Sequence, residues 1–196
     1  VRGVKVLIID DAFAEPAKYR AHAKASMLPG QTRKIPLGYE IYPADFGARF
    51  PGFADELATL ITEHIGQNVA DFFGFNLAEV NLRAFRGPYY NCVGISKLPV
   101  FAPHSDHGHV SAFACLVLPE NVSGGTRLYR HIPTDTIHVI QSRHTLLEGM
   151  MKVPLDKPLV ESTEEWEMIH FFKLTYNRLI AFNSSTIHKI DFTGGQ

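Results

Sequence analysis

Beyond Phe75 the apolar residues come in strand-length runs closed by turn residues, with no regular alternation of strand and helix. VNLRAF (Val80 to Phe85) alternates polar and apolar positions, and PYYNCVGI continues with strand-forming types. VSAFACLVLP (Val110 to Pro119), TRLYRH (Thr126 to His131) and TIHVI (Thr136 to Ile140) follow, all short. RLIAFN (Arg178 to Asn183) and TIHKIDF (Thr186 to Phe192) close the series. AFACLVL is apolar at both parities, as expected of a strand covered on both faces. Ser162 and Glu165 form a capping-box pattern, which predicts a helix through Trp166, Ile169 and Phe172.

The first 75 residues have a different character. KVLIID (Lys5 to Asp10) reads as a buried strand, and Asp11 with Pro16 predicts a helix running through Tyr19 towards Ser26. Leu28 to Phe50, rich in Pro and Gly, predicts loop with short extended pieces. A second helix is predicted where Phe53, Leu57, Leu60, Ile61 and Ile65 share one face, with Gly66 as its stop. Helices first and short strands later predict an α+β, mainly β fold, with a helical layer against an antiparallel sheet or barrel. The length of 196 residues suits one domain, expected as helical support over 1–75 and a β core over 76–196.

Charge and composition exclude several roles. A net charge of −1 gives no basic footprint for nucleic acid or anionic lipid. No apolar run reaches the ~20 residues of a membrane helix, and the opening VRGVKVLIIDD is too short and acidic for a secretory signal. Cys92 and Cys115 form no CxxC pair and fit free thiols in a cytoplasmic protein. Nucleotide-binding glycine motifs and GxSxG are absent.

Ten histidines stand out. Imidazole is the commonest protein metal ligand, so the question is which of them converge. In PHSDHGH, His104 and Asp106 are two apart, which in an extended strand puts both side chains on one face. SSTIHKI offers His188 on another predicted strand as a third ligand. Two imidazoles and one carboxylate on one side of a metal leave open positions on the other, the arrangement of non-haem Fe(II) oxygenases. Short of that convergence, His104 reads as an exposed loop histidine.

The order of these pieces resembles the 2-oxoglutarate- and Fe(II)-dependent oxygenase superfamily, especially its small prolyl-hydroxylase-like members. PHSD resembles the family's H-x-D, GGTRLY its glycine-pair turn, and RLIAFNSSTIH its strand bearing the distal histidine. VLIIDDAFAEP resembles its first strand and helix. The resemblance implies a double-stranded β-helix (jelly-roll) with N-terminal helices packed on the sheet. It also implies Fe(II) on His104, Asp106 and His188, 2-oxoglutarate as co-substrate, and molecular oxygen. Asp106 stands where the related halogenases carry a small residue, which favours hydroxylation or another oxidation. Tyr89 and Tyr90 fall in a strand that often supplies a co-substrate hydroxyl in that family, and serve equally well as core aromatics.

The family's anchor for the far carboxylate of 2-oxoglutarate, an Arg or Lys about ten residues past the distal histidine, has no counterpart here. After His188 the sequence reads KIDFTGGQ, and Lys189 points away by strand parity. The expectation is an Arg beyond Gln196, or a substitute: Arg127 first, then Arg178, Arg83 or Lys97. His107 and His109 could contact substrate or face solvent. A cupin-like metal-binding protein or isomerase without 2-oxoglutarate is the main rival, and a purely structural interaction module is a further one. A two-metal hydrolase fails because Ala102 stands where its histidine is required. The substrate, a small molecule or a peptide, and the oligomeric state are not encoded in any motif. The insert from Gln141 to Tyr176 is expected to cover the substrate.

Overall fold

The structure, a computed structural model, describes residues 3–26, 33–34, 40–41, 53–75, 103–106, 108–116, 118–121, 124–139 and 162–191. In chain order its elements are β1 (Val6–Ile9), α1 (Pro16–Ser26), β2 (Arg33–Lys34), β3 (Glu40–Ile41), α2 (Phe53–Ile65) and α3 (Val69–Phe73). The strands β4 (Val110–Ala114), β5 (Gly125–His131), β6 (Trp166–Lys173), β7 (Leu179–Asn183) and β8 (His188–Asp191) complete them. The fold is α+β and mainly β, with antiparallel pairing throughout the described strands.

Two three-stranded sheets, ordered β1-β7-β4 and β6-β5-β8, hold the fold together. β7 is central to the first, pairing Ala181 with both Leu7 and Ala112. Because side chains alternate along a strand, β7 feeds two cores. Leu179 and Ala181 pack with Ile9, Phe13, Tyr19, Leu57, Ile61 and Phe73, so the helices cover this face. Ile180 and Phe182 point the other way and pack with Leu128 and Phe172 of the second sheet. The layers are therefore helices, sheet, sheet. The far face of the second sheet has its own cluster of Tyr129, Val139, Trp166 and Ile187.

Helix α2 spans the predicted segment and buries Ile61 completely, a contribution of about 1.5–3 kcal/mol for a side chain of that size. Gly66 follows in the left-handed region at φ 62°, its N–H donating to the Thr62 carbonyl at 3.0 Å, as the predicted stop requires. Helix α3 is capped by Asn68, whose side-chain oxygen accepts from the Ala70 N–H at 2.8 Å. The strand read in KVLIID is β1, but it lies at the edge of its sheet with Ile8 exposed instead of being buried throughout. Among the described residues no helix is long and apolar enough to cross a membrane.

Three expectations are corrected. The helix predicted after Ser162 is the strand β6. The Thr163 hydroxyl accepts from the N–H groups of Glu165 and Trp166, and Ser162 Oγ from that of Met168. These hydroxyls close a turn into a strand rich in aromatic and branched residues, where pairing with β5 outweighs the local capping pattern. The described part of TIHVI forms isolated bridges, His131 to Thr136 and His138 to Thr186, and no strand. The strand in VSAFACLVLP stops at Ala114, and the next residue, Cys115, accepts from Asn177 N–H and donates to the Arg178 carbonyl at the turn into β7. The strands expected at Val80 to Phe85 and in PYYNCVGI lie outside the described residues.

Candidate metal centre

His104 and His188 are tied together through their backbones. His104 N–H donates to the His188 carbonyl at 2.8 Å and His188 N–H to that of His104 at 2.7 Å. Two residues on, Asp106 N–H donates to the Ser184 carbonyl at 2.9 Å. The H-x-D segment is thus laid antiparallel along the approach to β8, and the extended spacing brings both its side chains to His188. Nε2 of His188 lies 3.3 Å from Asp106 Oδ2, and Nε2 of His104 lies 3.8 Å from Asp106 Oδ1. One ligand atom from each of the three residues falls within 4.8 Å of the others. This cluster can hold a metal ion.

The state of His188 fits that use. Its side chain is fully buried at the edge of the inter-sheet core, beside the rings of Phe182 at 5.0 Å and Phe113 at 5.8 Å. Nδ1 lies 2.9 Å from the Thr186 carbonyl, which can only accept, so Nδ1 carries a proton and Nε2 is the ring atom turned to Asp106. That buried Nε2 makes no well-formed hydrogen bond, with Asp106 Oδ2 standing 3.3 Å away. A buried polar atom left unpaired costs ~1–3 kcal/mol, and a cation beside Asp106 would remove that cost. Ring orientation fixed by a backbone carbonyl is also the usual state of a metal-ligating histidine.

Asp106 supplies the negative charge. Burial works against that charge, but the nearby His188, the Ser111 hydroxyl and His104 outweigh it, holding the carboxyl well below the usual carboxylate range. Ser111 Oγ donates to Asp106 Oδ2 at 2.6 Å, and Ser111 and Ser184 Oγ are 3.0 Å apart. Neither serine was expected from the sequence. The available signal was Ser111, a polar residue inside the otherwise apolar run VSAFACLVL. The side chains of His104 and Asp106 are each 37% exposed, so the cluster opens to solvent on their side.

Among the described residues, the other expected site residues are not gathered here. Arg127 pairs with Lys189 across β5 and β8, whereas the adjacent pair is Leu128 with His188. Strand parity turns Arg127 away from the candidate ligands, and its guanidinium lies over the Phe171 ring at 4.4 Å. Lys189 is on that same averted face and is buried, so its parity agrees with the sequence reading. Arg178 is held by Asp10 through contacts of 2.5 and 2.9 Å. His109 packs its ring against Phe75 on the helix side. Tyr89, Tyr90, Arg83, Lys97 and His107 lie outside the described residues.

Searches against curated proteins and against solved structures return no match. A family model does match, over residues 2–193, so the chain belongs to a family of unknown function (DUF6445).

Proposed function

We propose that this chain is a non-haem Fe(II) dioxygenase that couples decarboxylation of 2-oxoglutarate to oxidation of a small molecule or a peptide. The observation that carries the metal is the buried Nε2 of His188, facing Asp106 without a well-formed hydrogen bond, with His104 completing the set. Two imidazoles and one carboxylate are the donor set suited to Fe(II) with positions left open for oxygen and a chelating co-substrate. Bound there, Fe(II) with 2-oxoglutarate would activate oxygen, releasing succinate and carbon dioxide and leaving one oxygen atom for the substrate. The chain's own part is to hold the ligand atoms in place before the ion arrives. His188 does this by its Thr186 contact, and Asp106 by Ser111 and the Ser184 carbonyl. Phe113 and Phe182 keep water from the inner side of His188.

The scaffold in this proposal is a jelly-roll. Two opposed antiparallel sheets with a shared core support it, as do consecutive strands such as β7 and β8 that lie in different sheets. One observation favours the rival cupin-like reading, a metal protein or isomerase without 2-oxoglutarate. Arg127, the substitute anchor expected within the chain, faces away from the ligands. Anaerobic Fe(II) reconstitution followed by 2-oxoglutarate separates the two. A visible metal-to-ligand charge-transfer band, with succinate formed on admitting oxygen, is the outcome expected of the dioxygenase. Stoichiometric iron without that band selects the cupin-like reading, and a chain that takes up no metal sinks both.

A further inference from the structure

Two hydroxyls are buried against the candidate metal centre without being ligands: Ser184 is fully buried and Ser111 is 6% exposed. Ser111 sits on β4 opposite Phe182, and Ser184 opens the turn between β7 and β8. Buried hydroxyls need partners, and here the partners form a line that ends on a metal ligand. A serine has one proton and an ionised carboxylate can only accept, so Ser111 spends its proton on Asp106 Oδ2 at 2.6 Å. The 3.0 Å contact between the two serines must then use the proton of Ser184. The direction is fixed: Ser184 donates to Ser111, and Ser111 donates to Asp106.

We infer that Ser184 and Ser111 form a two-hydroxyl relay that positions the Asp106 carboxylate and thereby sets the affinity of the site for its metal. The inference rests on the metal-centre reading above. Ser184 grips the H-x-D segment at more than one point. Its carbonyl accepts from Asp106 N–H at 2.9 Å, and its own N–H donates to the His109 carbonyl at 3.0 Å. The backbone of Asp106 and the rotation of its carboxylate are therefore set by one residue, directly and through Ser111. Without the relay, a carboxylate this exposed could turn towards solvent, and an incoming cation would have to reorder it. Ser111 and Ser184 are positioning residues, acting on the metal only through Asp106.

The test is titration of the metal-free full chain with Co(II), following its visible d–d absorption and obtaining Kd by competition with a chelator. Ser111→Ala is expected to weaken Co(II) binding about 10- to 100-fold and to alter the absorption spectrum, the usual scale for losing a group that orients a ligand. Ser111→Thr, which keeps the hydroxyl on a strand position, should recover most of that affinity. Ser184→Ala should weaken binding less, and the double variant should be no weaker than Ser111→Ala, because Ser184 acts through Ser111. The thermal unfolding of the metal-free variants should stay close to that of the unaltered chain. Co(II) binding by Ser111→Ala with unchanged Kd and spectrum would overturn the relay, as would losses that simply add in the double variant. Should Ser111→Ala not fold, Ser184→Ala decides alone, and an unchanged Kd there overturns the inference. If the unaltered chain takes up no Co(II), the metal-centre reading itself falls, and the relay with it.

Discussion

Asp106 is the one anion among the three clustered side chains, so any attraction of the site for a divalent cation rests on it. Asp106→Ala should take metal content from one ion per chain to near zero, measured by elemental analysis after reconstitution. The metal-free variant should still unfold cooperatively, with Tm lowered modestly because the buried Ser111 hydroxyl loses the carboxylate it donates to. A full metal complement in that variant would show that Asp106 is not a ligand. Asn177 illustrates the opposite case, a residue with structural consequences only. It sits in the left-handed region at φ 59°, and its buried side chain accepts from Phe13 N–H at 3.0 Å and donates to the Phe13 carbonyl at 2.9 Å. Asn177→Ala strands both groups and strains the turn, and should cost about 1–3 kcal/mol in denaturant unfolding, with metal content unchanged. The shared face of His104 and Asp106 was legible because two-residue spacing and strand parity are properties of sequence. Ser111 and Ser184 were not, since a hydroxyl acquires its role only from what lies opposite it.

Among the elements, β5 is the most constrained, paired on one side with β6 and on the other with β8. Gly125 opens it, and a Cβ there would meet the Phe172 carbonyl oxygen at 2.2 Å and the Phe171 ring at 2.5 Å. Gly125→Ala must push β6 away, a loss of about 1–3 kcal/mol of the kind seen on overpacking, readable as a lowered Tm. The glycine pair was legible as a turn. Its second member is needed for this close approach, which depends on β6, and β6 was the element misread as helix. That misreading shows the limit of local signals: Ser162 and Glu165 satisfy a capping pattern, and only the pairing of β6 with β5 outweighs it. At the other end of β5, His131 is buried against the Trp166 ring at 4.8 Å, and its Nδ1 lies 2.8 Å from Thr134 Oγ1. Burial pushes its pKa below the ordinary value of 6.5, with Glu165 opposing only weakly. The folded chain therefore resists a proton that the unfolded chain accepts. Its contribution to stability is complete above pH 6.5 and is lost as pH falls below that value. His131→Gln should flatten the decline in Tm between about pH 7 and 5, and an unchanged decline would exclude His131 as its source.

At the scale of the whole molecule, the order of layers decides which side chains can serve the metal. His188 emerges from the second sheet towards the core it shares with β7, so a co-substrate chelated there would meet residues of that inner face. Helix-first order and short antiparallel strands were legible in the sequence, and so were the bounds of α2 and the far end of α1. The start of α1 was not, since it begins at Pro16 and Asp11, expected as its cap, lies in a turn at φ 50°. The face that Arg127 presents was not, because it depends on register between strands more than 60 residues apart in sequence. That register makes a prediction against the sequence expectation. A 2-oxoglutarate carboxylate carried into the protein interior needs a cation within hydrogen-bonding reach, since leaving it unpaired costs several kcal/mol. Arg127 cannot supply it from the averted face, where it covers Phe171 and its Nη1 lies 2.9 Å from Met168 Sδ. Arg127→Ala should therefore lower Tm through lost packing on β6 while leaving the 2-oxoglutarate charge-transfer band and the succinate yield of the iron-loaded protein unchanged. Arg83→Ala and Lys97→Ala, assayed alongside, test two of the other cations named from the sequence, Arg178 being held by Asp10. Loss of the band in Arg127→Ala at full iron occupancy would place the anchor on β5 after all. Loss in either of the other two would identify the anchor and remove the observation that favours a cupin-like protein.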